Sequence, residues 1–565
     1  MDRRTFLRRA GLAGATGALG LLAAACGASP APSRAPRRVS KASATARDSV
    51  HEVEGLRVAD WLLEENADSR RTTTWIIPRS VRGVQSPPIE GYLDKVSGVQ
   101  GEELTLYVNT VAPTFRAYVY RIGYYGGYGG RRVAISPELK GIQQAAPHFV
   151  RGINMVECDW VASWHTTIGS DWPPGSYLIR LEGAPNQQQY VPFVVRDDAS
   201  HSTYLVQSSV TTWQAYNPYG GYSLYGGTPI GSLNNFESRS RVVSFNRPYS
   251  HDNTALDARG SGDYLGNELP FIYLAERHGL DLSYWTDVDL DSQPHLLTNH
   301  RSLISLGHDE YWSMTMRNTV QAAIEKGTNV AFLGANACYR QIRFEGAKDA
   351  DRRRVICYKD SNEDPITKSN PALATGGSWA TDPLPRPESE LIGVMYQSYG
   401  GNAPFVVADA SSWVFAGTGL SNGEHLSALT KNSKATDLVG SEFDGFEPTL
   451  ARAPGPLQIL GHSPTGSESG QAFSDMSYYA VPHKGGVFAT GTASWVRYLW
   501  DGKGTVPAKL GFGTAPKVVS PLTRITLNVL AAFGAGPAGA TRPSEENWRQ
   551  FYSPTAATIP AKDVP

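Results

Sequence analysis

The sequence predicts an α/β protein with an all-β module. We expect an N-terminal immunoglobulin-like β-sandwich over residues 51–200, followed over residues 201–540 by a doubly wound, amidotransferase-like parallel-sheet domain. Three observations predict this. Apolar and polar residues alternate in the first part, turn-forming Gly and Pro recur there at short intervals, and after residue 200 buried apolar runs are separated by helical segments. The 57 Gly and 37 Pro among 565 residues are typical of a chain rich in loops and strands.

An export signal and a tether precede the predicted folded part. Arg3 and Arg4 stand before an apolar Gly, Ala and Leu run over residues 10–25, which is short and weakly apolar for a membrane-spanning helix. We therefore predict a twin-arginine signal over residues 1–25. Cys26 follows it where a bacterial lipobox has its lipidated cysteine, and residues 26–50 predict a disordered basic linker. The expected location is the outer face of the cell membrane, as a lipoprotein. The alternative is cleavage by an ordinary signal peptidase with Cys26 unmodified.

The charge and the cysteine content of the chain limit its possible binding partners and disulfide bonds. Lys and Arg number 52 against 53 Asp and Glu, and the first 48 residues hold nine basic and two acidic residues, so the remainder carries a net charge of −8. We expect no nucleic-acid partner. Four cysteines are too few for a disulfide scaffold, and without Cys26 an odd number remains, which predicts at least one free thiol. Whether the chain forms a homo-oligomer is left open.

Strand signals dominate residues 51–200. Apolar residues alternate with polar ones over 104–109 and 177–182, which predicts strands with one buried face. The segment WPPGSY at 172–177 resembles the turn before a strand in immunoglobulin-like sandwiches. A loop rich in glycine and tyrosine at 121–131 lacks a Walker lysine and a following helix. We interpret it as packing against the neighbouring domain.

Strands and helices alternate after residue 200. Residues 203–206, 280–285, 302–306 and 329–333 read as buried strands. A helix over residues 268–278 should end at Gly279, and a helix capped by Ser313 should run to Lys326 and end at Gly327. This order predicts a parallel sheet, in which ligands bind beyond the carboxyl ends of the strands. The last residues, 541–565, are assigned to a C-terminal tail.

The segments that follow three of these strands carry dense polar and aromatic groups, at 211–217, 307–312 and 334–340. A zinc protease is excluded because His308 has no second histidine one helical turn away. Cys338 could be a thiol nucleophile with His308 as its base, or a buried and inert cysteine. Tyr311 and Tyr339 could bind a strongly Lewis-acidic ion such as ferric iron, or they could simply pack.

Several spaced motifs together resemble the large (beta) subunit of bacterial N,N-dimethylformamidase and its relatives, over roughly residues 110–535. They are WQAYN at 213–217, GHDEYW at 307–312, LGANACYR at 333–340, GSEFD at 440–444 and GGVFATGTASW at 485–495. The resemblance implies hydrolysis of a small amide substrate at a mononuclear Fe(III) bound by Tyr311, Tyr339 and Glu442. Such an ion would polarise the amide carbonyl and lower the pKa of a bound water.

The resemblance also frames the remaining candidates. Trp213, Asn217 and Asn336 are predicted pocket walls, with plain packing as their alternative. His308 and Glu310 are the candidates for proton transfer.

Two positions depart from the family pattern. The chain has Ala480 where an acid is expected and Gly440 where a histidine is expected. These departures keep a second hypothesis open, a catalytically inactive surface lipoprotein of the same fold that acts in envelope binding. A thiol amidase using Cys338 is the third.

Overall fold

The structure is a computed structural model, and it describes most of the chain from residue 49 to residue 552. The described ranges are 49–78, 89–184, 186–227, 235–250, 263–347, 350–429, 436–450, 453–467, 470–500, 505–510 and 516–552. The predicted signal, Cys26 and nearly all of the predicted linker lie outside these ranges, so their assignments stay predictions.

Strands fill the first part of the described chain, with one short helix. They are β1 (Val50–Val53), β2 (Leu56–Ala59), α1 (Asp60–Asn66), β3 (Ile89–Leu93), β4 (Ser97–Val99), β5 (Glu103–Thr110), β6 (Thr114–Ile122), β7 (Gly130–Ile135), β8 (Leu139–Lys140), β9 (His148–Val150), β10 (Met155–Glu157), β11 (Trp164–Thr167), β12 (Gly175–Glu182) and β13 (Gln188–Arg196).

Two of the sheets pack face to face. One has the order β11-β5-β3, and the other has the order β4-β13-β12-β6-β7 with β8 paired to β6. Their facing side chains form one apolar cluster, which includes Leu106 of β5, Val119 of β6 and Ile179 of β12. A β-sandwich is therefore present, whereas its immunoglobulin likeness stays a prediction.

The alternation seen in the sequence has two different outcomes. In β5, buried and partly exposed residues alternate along the strand, as predicted. In β12, the residues from Gly175 to Ile179 are all buried, because Leu178 and its neighbours Tyr120 and Tyr190 face a second apolar cluster while Ile179 faces the sandwich core. The prediction of one buried face was wrong for β12 because its outer face is covered by the second part of the chain.

Strands and helices alternate in the second part. The strands are β14 (Tyr204–Ser208), β15 (Val242–Ser244), β16 (Leu282–Thr286), β17 (Ser302–Gly307), β18 (Tyr311–Ser313), β19 (Asn329–Gly334), β20 (Arg340–Ala347), β21 (Ala350–Ile356), β22 (Met395–Tyr399), β23 (Phe405–Val406), β24 (His425–Leu426), β25 (Glu442–Gly445), β26 (Leu457–Ser467), β27 (Gly470–Ala480) and β28 (Gly486–Ala489). The helices are α2 (Val210–Tyr216), α3 (Leu269–Arg277), α4 (Asp287–Ser292), α5 (Met314–Glu325), α6 (Ser389–Ile392), α7 (Thr505–Leu510), α8 (Pro516–Ala535), α9 (Ala538–Thr541) and α10 (Arg549–Tyr552).

A seven-stranded sheet organises this part, in the order β16-β14-β17-β19-β28-β27-β26. The first five strands are parallel, and β27 and β26 continue the sheet antiparallel. The predicted strands and parallel pairing are confirmed. Numbered along the chain, the parallel strands have the order 2-1-3-4-5, one of the two common doubly wound orders. The likeness to amidotransferases stays a prediction.

Helices cover both faces of this sheet. Val206, Ile304 and Ala331 face the cluster that contains α3 and α8, while Leu303 and Val330 face the cluster that contains α4 and α5. Strands buried on both faces explain the continuous apolar runs in the sequence. Within α8, residues Lys517–Ala535 are long and apolar enough to cross a membrane, but 61% of the tested window is buried inside the protein, as in a core helix.

The predicted helix boundaries hold closely. Ser313 caps α5 by accepting the Met316 N–H at 3.1 Å, and Gly327 follows with φ +104°. α3 ends at Arg277, and Gly279 has φ +62°. A π-helical turn, Tyr264–Glu268, leads into α3.

A buried ion pair joins the sandwich to the doubly wound sheet. The guanidinium of Arg121 in β6 makes two bonds to the Glu276 carboxylate in α3, with Nη1–Oε2 at 2.9 Å and Nη2–Oε1 at 2.7 Å. Both side chains are fully buried. Tyr284 donates to the same carboxylate at 2.7 Å, and Asn66 of α1 donates at 3.2 Å. In the adjacent loop, the ring of Tyr124 packs on Tyr273 of α3, as predicted for residues 121–131.

Candidate active site

The candidate site lies at the carboxyl ends of β14, β17 and β19. In an open α/β sheet, ligands bind where the order of strands reverses, and here the reversal falls between β14 and β17. The loops after β17 and β19 are held together by backbone bonds: Cys338 N–H donates to Asp309 O at 2.9 Å, and Arg340 N–H donates to Glu310 O at 2.9 Å. The chain therefore presents polar groups from neighbouring strands at one point.

Glu310 is the acceptor at the centre of a phenol cluster. Its carboxylate is 1% exposed and accepts hydrogen bonds from Tyr216 OH at 2.8 Å and from Tyr225 OH at 2.7 Å. Tyr311 OH donates to Tyr225 OH at 2.8 Å, and the rings of Tyr216 and Tyr225 stack at 4.3 Å. Two tyrosines thereby fix Glu310, and one of them also fixes Tyr311.

His308 lies between two carboxylates. Its Nε2 is 3.1 Å from Glu442 Oε2 and 3.4 Å from Glu310 Oε2. Asn336 Nδ2 donates to the same Glu442 oxygen at 2.7 Å. Burial lowers the pKa of His308, but the charges and hydrogen bonds of Glu442 and Glu310 outweigh burial and raise that pKa well above its usual range. His308 is thus an imidazolium that joins the two acids.

Positive charge also surrounds Glu310. Burial favours the neutral acid, yet the hydrogen bond and the charge of His308, together with the Arg340 guanidinium, lower the pKa of Glu310 to about 2. Arg340 Nε lies 3.4 Å from Glu310 Oε1.

Lys359, only 6% exposed, places Nζ 3.2 Å from the centre of the Tyr225 ring, and burial lowers the pKa of that amine well below its usual range.

The two predicted phenol ligands lie at the starts of two adjacent strands. β18 and β20 are parallel neighbours with Tyr311 opposite Arg340, so Tyr339 immediately precedes the partner of Tyr311. The ring of Tyr339 lies against Tyr396 at 4.9 Å, with the Arg340 guanidinium 4.6 Å from its centre. Burial raises the pKa of both phenols, for Tyr311 well above its usual range.

The donor chemistry fits a hard, strongly Lewis-acidic ion. Within the described residues, no group of three His, Cys, Asp or Glu side chains could hold a metal, so an ion here would need phenols among its ligands. Two phenols and a carboxylate are hard oxygen donors of the type that ferric iron prefers. Phenols with raised pKa values stay protonated at neutral pH unless a strongly Lewis-acidic ion displaces the proton.

Most of the sequence-predicted residues fall into two groups, while Tyr339 packs on Tyr396. His308, Glu310, Asn336 and Glu442 form one connected cluster, and Tyr311 joins it through Tyr225. Two predicted pocket walls point elsewhere: the buried Trp213 indole donates to Glu268 at 3.1 Å, and the buried Asn217 side chain bonds Gln214 and Pro248 O. Their assignment as pocket walls stays a prediction, and the contacts found for them are packing contacts of α2 and of the residue that ends it.

Four contributors were not selected from the sequence, namely Tyr216, Tyr225, Arg340 and Lys359. Tyr216 and Arg340 lie within the motifs that carried the family resemblance, so that signal could have found them. Lys359 follows β21 with φ +58° and has no sequence signal of its own.

Cys338 packs and does not face the cluster. Its side chain is fully buried in the apolar cluster of α5, and burial raises the pKa of the thiol to about 12. A thiol with that pKa is protonated at neutral pH and is a poor nucleophile. The buried, inert alternative therefore fits Cys338 better.

The structure describes both positions that depart from the family pattern. A Cβ at Gly440 would come within 2.2 Å of Gly401 O, so no histidine side chain fits there. His308, from the loop after β17, supplies the imidazole next to Glu442 instead. Ala480 ends β27 and is buried, and its N–H donates to Ser544 Oγ at 2.9 Å.

Comparisons with known proteins agree with the motifs. A family model described as N,N-dimethylformamidase beta subunit-like, C-terminal, matches residues 116–505. No curated protein matches the chain. Among solved structures, an uncharacterized protein from Bacillus anthracis str. Ames is 12% identical over 18% of this chain and 78% of its own, with a TM-score of 0.13. A cycloisomaltooligosaccharide glucanotransferase from Paenibacillus sp., complexed with cycloisomaltoheptaose, is 9% identical over 72% of this chain and 69% of its own, with a TM-score of 0.15.

Proposed function

Because the chain belongs to the N,N-dimethylformamidase beta subunit-like family, we propose that it is a hydrolase that cleaves the C–N bond of a small amide. The observation that carries the proposal is the imidazole of His308 between the carboxylates of Glu310 and Glu442, at the reversal point of the parallel sheet. A buried acid–base group with two fixed carboxylates at that position is the arrangement that general acid–base catalysis requires.

We propose a mononuclear ferric ion held by Tyr311, Tyr339 and Glu442. When bound, such an ion would polarise the amide carbonyl and lower the pKa of a water molecule. Three contacts support this ligand set: Tyr225 accepts from the Tyr311 hydroxyl, Asn336 donates to the Glu442 carboxylate, and the Arg340 guanidinium over Tyr339 would favour the ionised phenol.

His308 would move the proton in this reaction. Hydrolysis adds water across the C–N bond, so the departing amine must gain a proton as the carbonyl carbon gains oxygen. A protonated His308 can donate from Nε2, and Glu310, fixed by Tyr216 and Tyr225, keeps that imidazolium charged and oriented. The histidine absent at position 440 is thereby replaced from another loop.

Metal analysis of the purified full chain tests the ligand set. We expect about one iron per chain and a visible tyrosinate-to-iron charge-transfer band. Tyr311→Phe and Tyr339→Phe should each abolish the band, while Tyr107→Phe in the sandwich should leave it unchanged. A folded, colourless and metal-free protein would overturn the metal proposal.

Activity assays separate the three hypotheses. With a panel of small formamides and acetamides, we expect His308→Gln to retain iron and to lose amine release by about 10²–10⁴-fold. Activity that survives chelation but disappears in Cys338→Ala would favour a thiol amidase. An iron-loaded protein that binds no amide and releases no amine would favour the inactive surface lipoprotein.

We also propose export through the twin-arginine route and a lipid tether at Cys26. Fractionation of cells that produce the full chain tests this. The wild type should enter the detergent phase and its processing should stop with globomycin, whereas Cys26→Ala should enter the aqueous phase. A Cys26→Ala protein that remains in the membrane would contradict the tether.

A further inference from the structure

A cavity lies between the sandwich and the doubly wound sheet, and we call it the junction cavity. It has a volume of about 330 Å³ and is lined by residues that include Asp94, Ser97, Arg196, Asp289, Arg352 and Arg353. None of its lining residues belongs to the cluster around Glu310. Its size is within the range of small-molecule sites, which begins at about 300 Å³.

Most charged groups of the junction cavity have a partner in its wall. Arg196 Nη1 donates to Asp289 Oδ1 at 2.9 Å and to Ser97 Oγ at 2.7 Å, which links β13, α4 and β4. Arg352 Nε donates to Asp291 Oδ2 at 2.6 Å. These bonds hold the wall residues in place without a ligand in the cavity.

Arg353 and Asp94, which have opposite charges, retain free hydrogen-bonding atoms. Arg353, only 4% exposed, uses Nε for Asn246 and Nη2 for the carbonyls of Leu93 and Phe245, but Nη1 donates to none of the described residues. Asp94 Oδ1 accepts the Thr105 N–H at 3.0 Å, while Oδ2 has no partner among the described residues. Asp94 and Arg353 do not form an ion pair with each other within 4 Å.

The charges of Asp94 and Arg353 are incompletely neutralised. Burial lowers the pKa of Arg353 to about 10, with Asp94 opposing the change. Burial raises the pKa of Asp94, with the Thr105 N–H, Lys95 and Arg353 opposing the change. A charge withdrawn from water without a full counter-ion is unfavourable, so a ligand that supplies both counter-charges would bind favourably to the buried Arg353 and the half-buried Asp94.

We propose that the junction cavity binds an amino-carboxylate zwitterion, that is, an amino acid or a short peptide. Its carboxylate would accept from Arg353 Nη1 and its ammonium would donate to Asp94 Oδ2. Asp94 and Arg353 line the same cavity without pairing with each other, which favours one ligand that carries both opposite charges. This inference is independent of the proposed amide hydrolysis.

Isothermal titration calorimetry of the full chain with the dipeptide L-alanyl-L-alanine tests the proposal. We expect saturable binding. N-acetylation, which removes the ammonium, and C-terminal amidation, which removes the carboxylate, should each weaken binding at least tenfold. L-alanine in a parallel titration distinguishes a free amino acid from a peptide. No binding of either zwitterion, or equal binding of the blocked dipeptides, would overturn the proposal.

Variants connect that binding to this cavity. Asp94→Asn keeps the acceptor for Thr105 and should weaken dipeptide binding at least tenfold. This variant should also bind the N-acetylated dipeptide as well as it binds the free dipeptide. Arg353→Met should do the same with the C-terminally amidated dipeptide. Because Arg353→Met removes several buried bonds and could fail to fold, Asp94→Asn alone decides the result. Asp351→Asn at the exposed rim is the control and should bind as the wild type does. Unchanged binding in Asp94→Asn would refute the assignment.

Discussion

Glu268 is a carboxyl group whose ionisation opposes folding. The side chain is fully buried at the start of α3, where Oε1 accepts from Ser209 N–H, Ser209 Oγ and Trp213 Nε1, while Oε2 has no partner among the described residues. Burial raises its pKa to about 8 from a usual value of 4.5. The folded protein therefore keeps this proton at neutral pH, whereas the unfolded chain has lost it.

The structure gives the size of the effect. Between pH 4.5 and pH 8 the unfolded chain binds one proton less at this group, so the free energy of unfolding falls by about 1.4 kcal/mol per pH unit. Glu268→Gln keeps the acceptor at Oε1 and removes the ionisation. From pH 5.5 to pH 7.5, the wild type should lose about 2.5 kcal/mol of stability relative to this variant.

Urea unfolding followed by tryptophan fluorescence at the two pH values measures this difference. Taking the difference between proteins cancels the titration of every other group that both share. Glu103→Gln, at an exposed position of β5, is the control and should follow the wild type. A difference between wild type and Glu268→Gln that changes by less than about 0.5 kcal/mol would show that Glu268 is ionised in the folded protein.

Three further predictions concern stability and reactivity. Arg121→Met leaves Glu276 as an uncompensated buried charge and should lower the free energy of unfolding, measured by urea titration, by about 3–5 kcal/mol. The double variant Arg121→Met/Glu276→Leu should recover part of this loss. Fully additive effects of the two substitutions would contradict the pairing. Tyr225→Phe should cost about 1–3 kcal/mol because Tyr311 and Glu310 both lose a partner, and Tyr216→Phe, which breaks one bond, should cost less. Three thiols are buried, those of Cys158, Cys338 and Cys357. Ellman's reagent should modify none of them in the native protein and all of them in urea. Rapid reaction of the native protein would contradict their burial.

The parallel sheet was predictable because its strands are short and apolar, and because two of them, β16 and β19, follow helices with a clear stop. Gly279 and Gly327 mark those stops by their positive φ angles, which L side chains rarely adopt. The burial of β12 on both faces was not predictable from its alternation, because the second layer is formed by residues far along the chain. The alternation of apolar and polar residues in a strand indicates that one face is buried. It does not indicate whether a segment distant in sequence also covers the other face.

The candidate site was predictable in part. His308, Glu310 and Asn336 follow strands of the sheet directly, so strand prediction alone brings them together. Glu442 lies in the separate pair β22-β25 and was found only through the family resemblance. The link from Glu310 through Tyr225 to Tyr311 depends on side-chain geometry, and no spacing rule in the sequence contains it.

The position of β28 beside β19 has a consequence for synthesis. The chain leaves the parallel sheet at Gly334 and returns to it only at Gly486, roughly 150 residues later, and Glu442 is made in between. At about 5–20 residues per second, a ribosome needs about 8–30 seconds to cover that stretch. During that time β19 has an unpaired edge, which invites association with other nascent chains. Premature termination before Gly486 should therefore yield insoluble fragments rather than a smaller active protein.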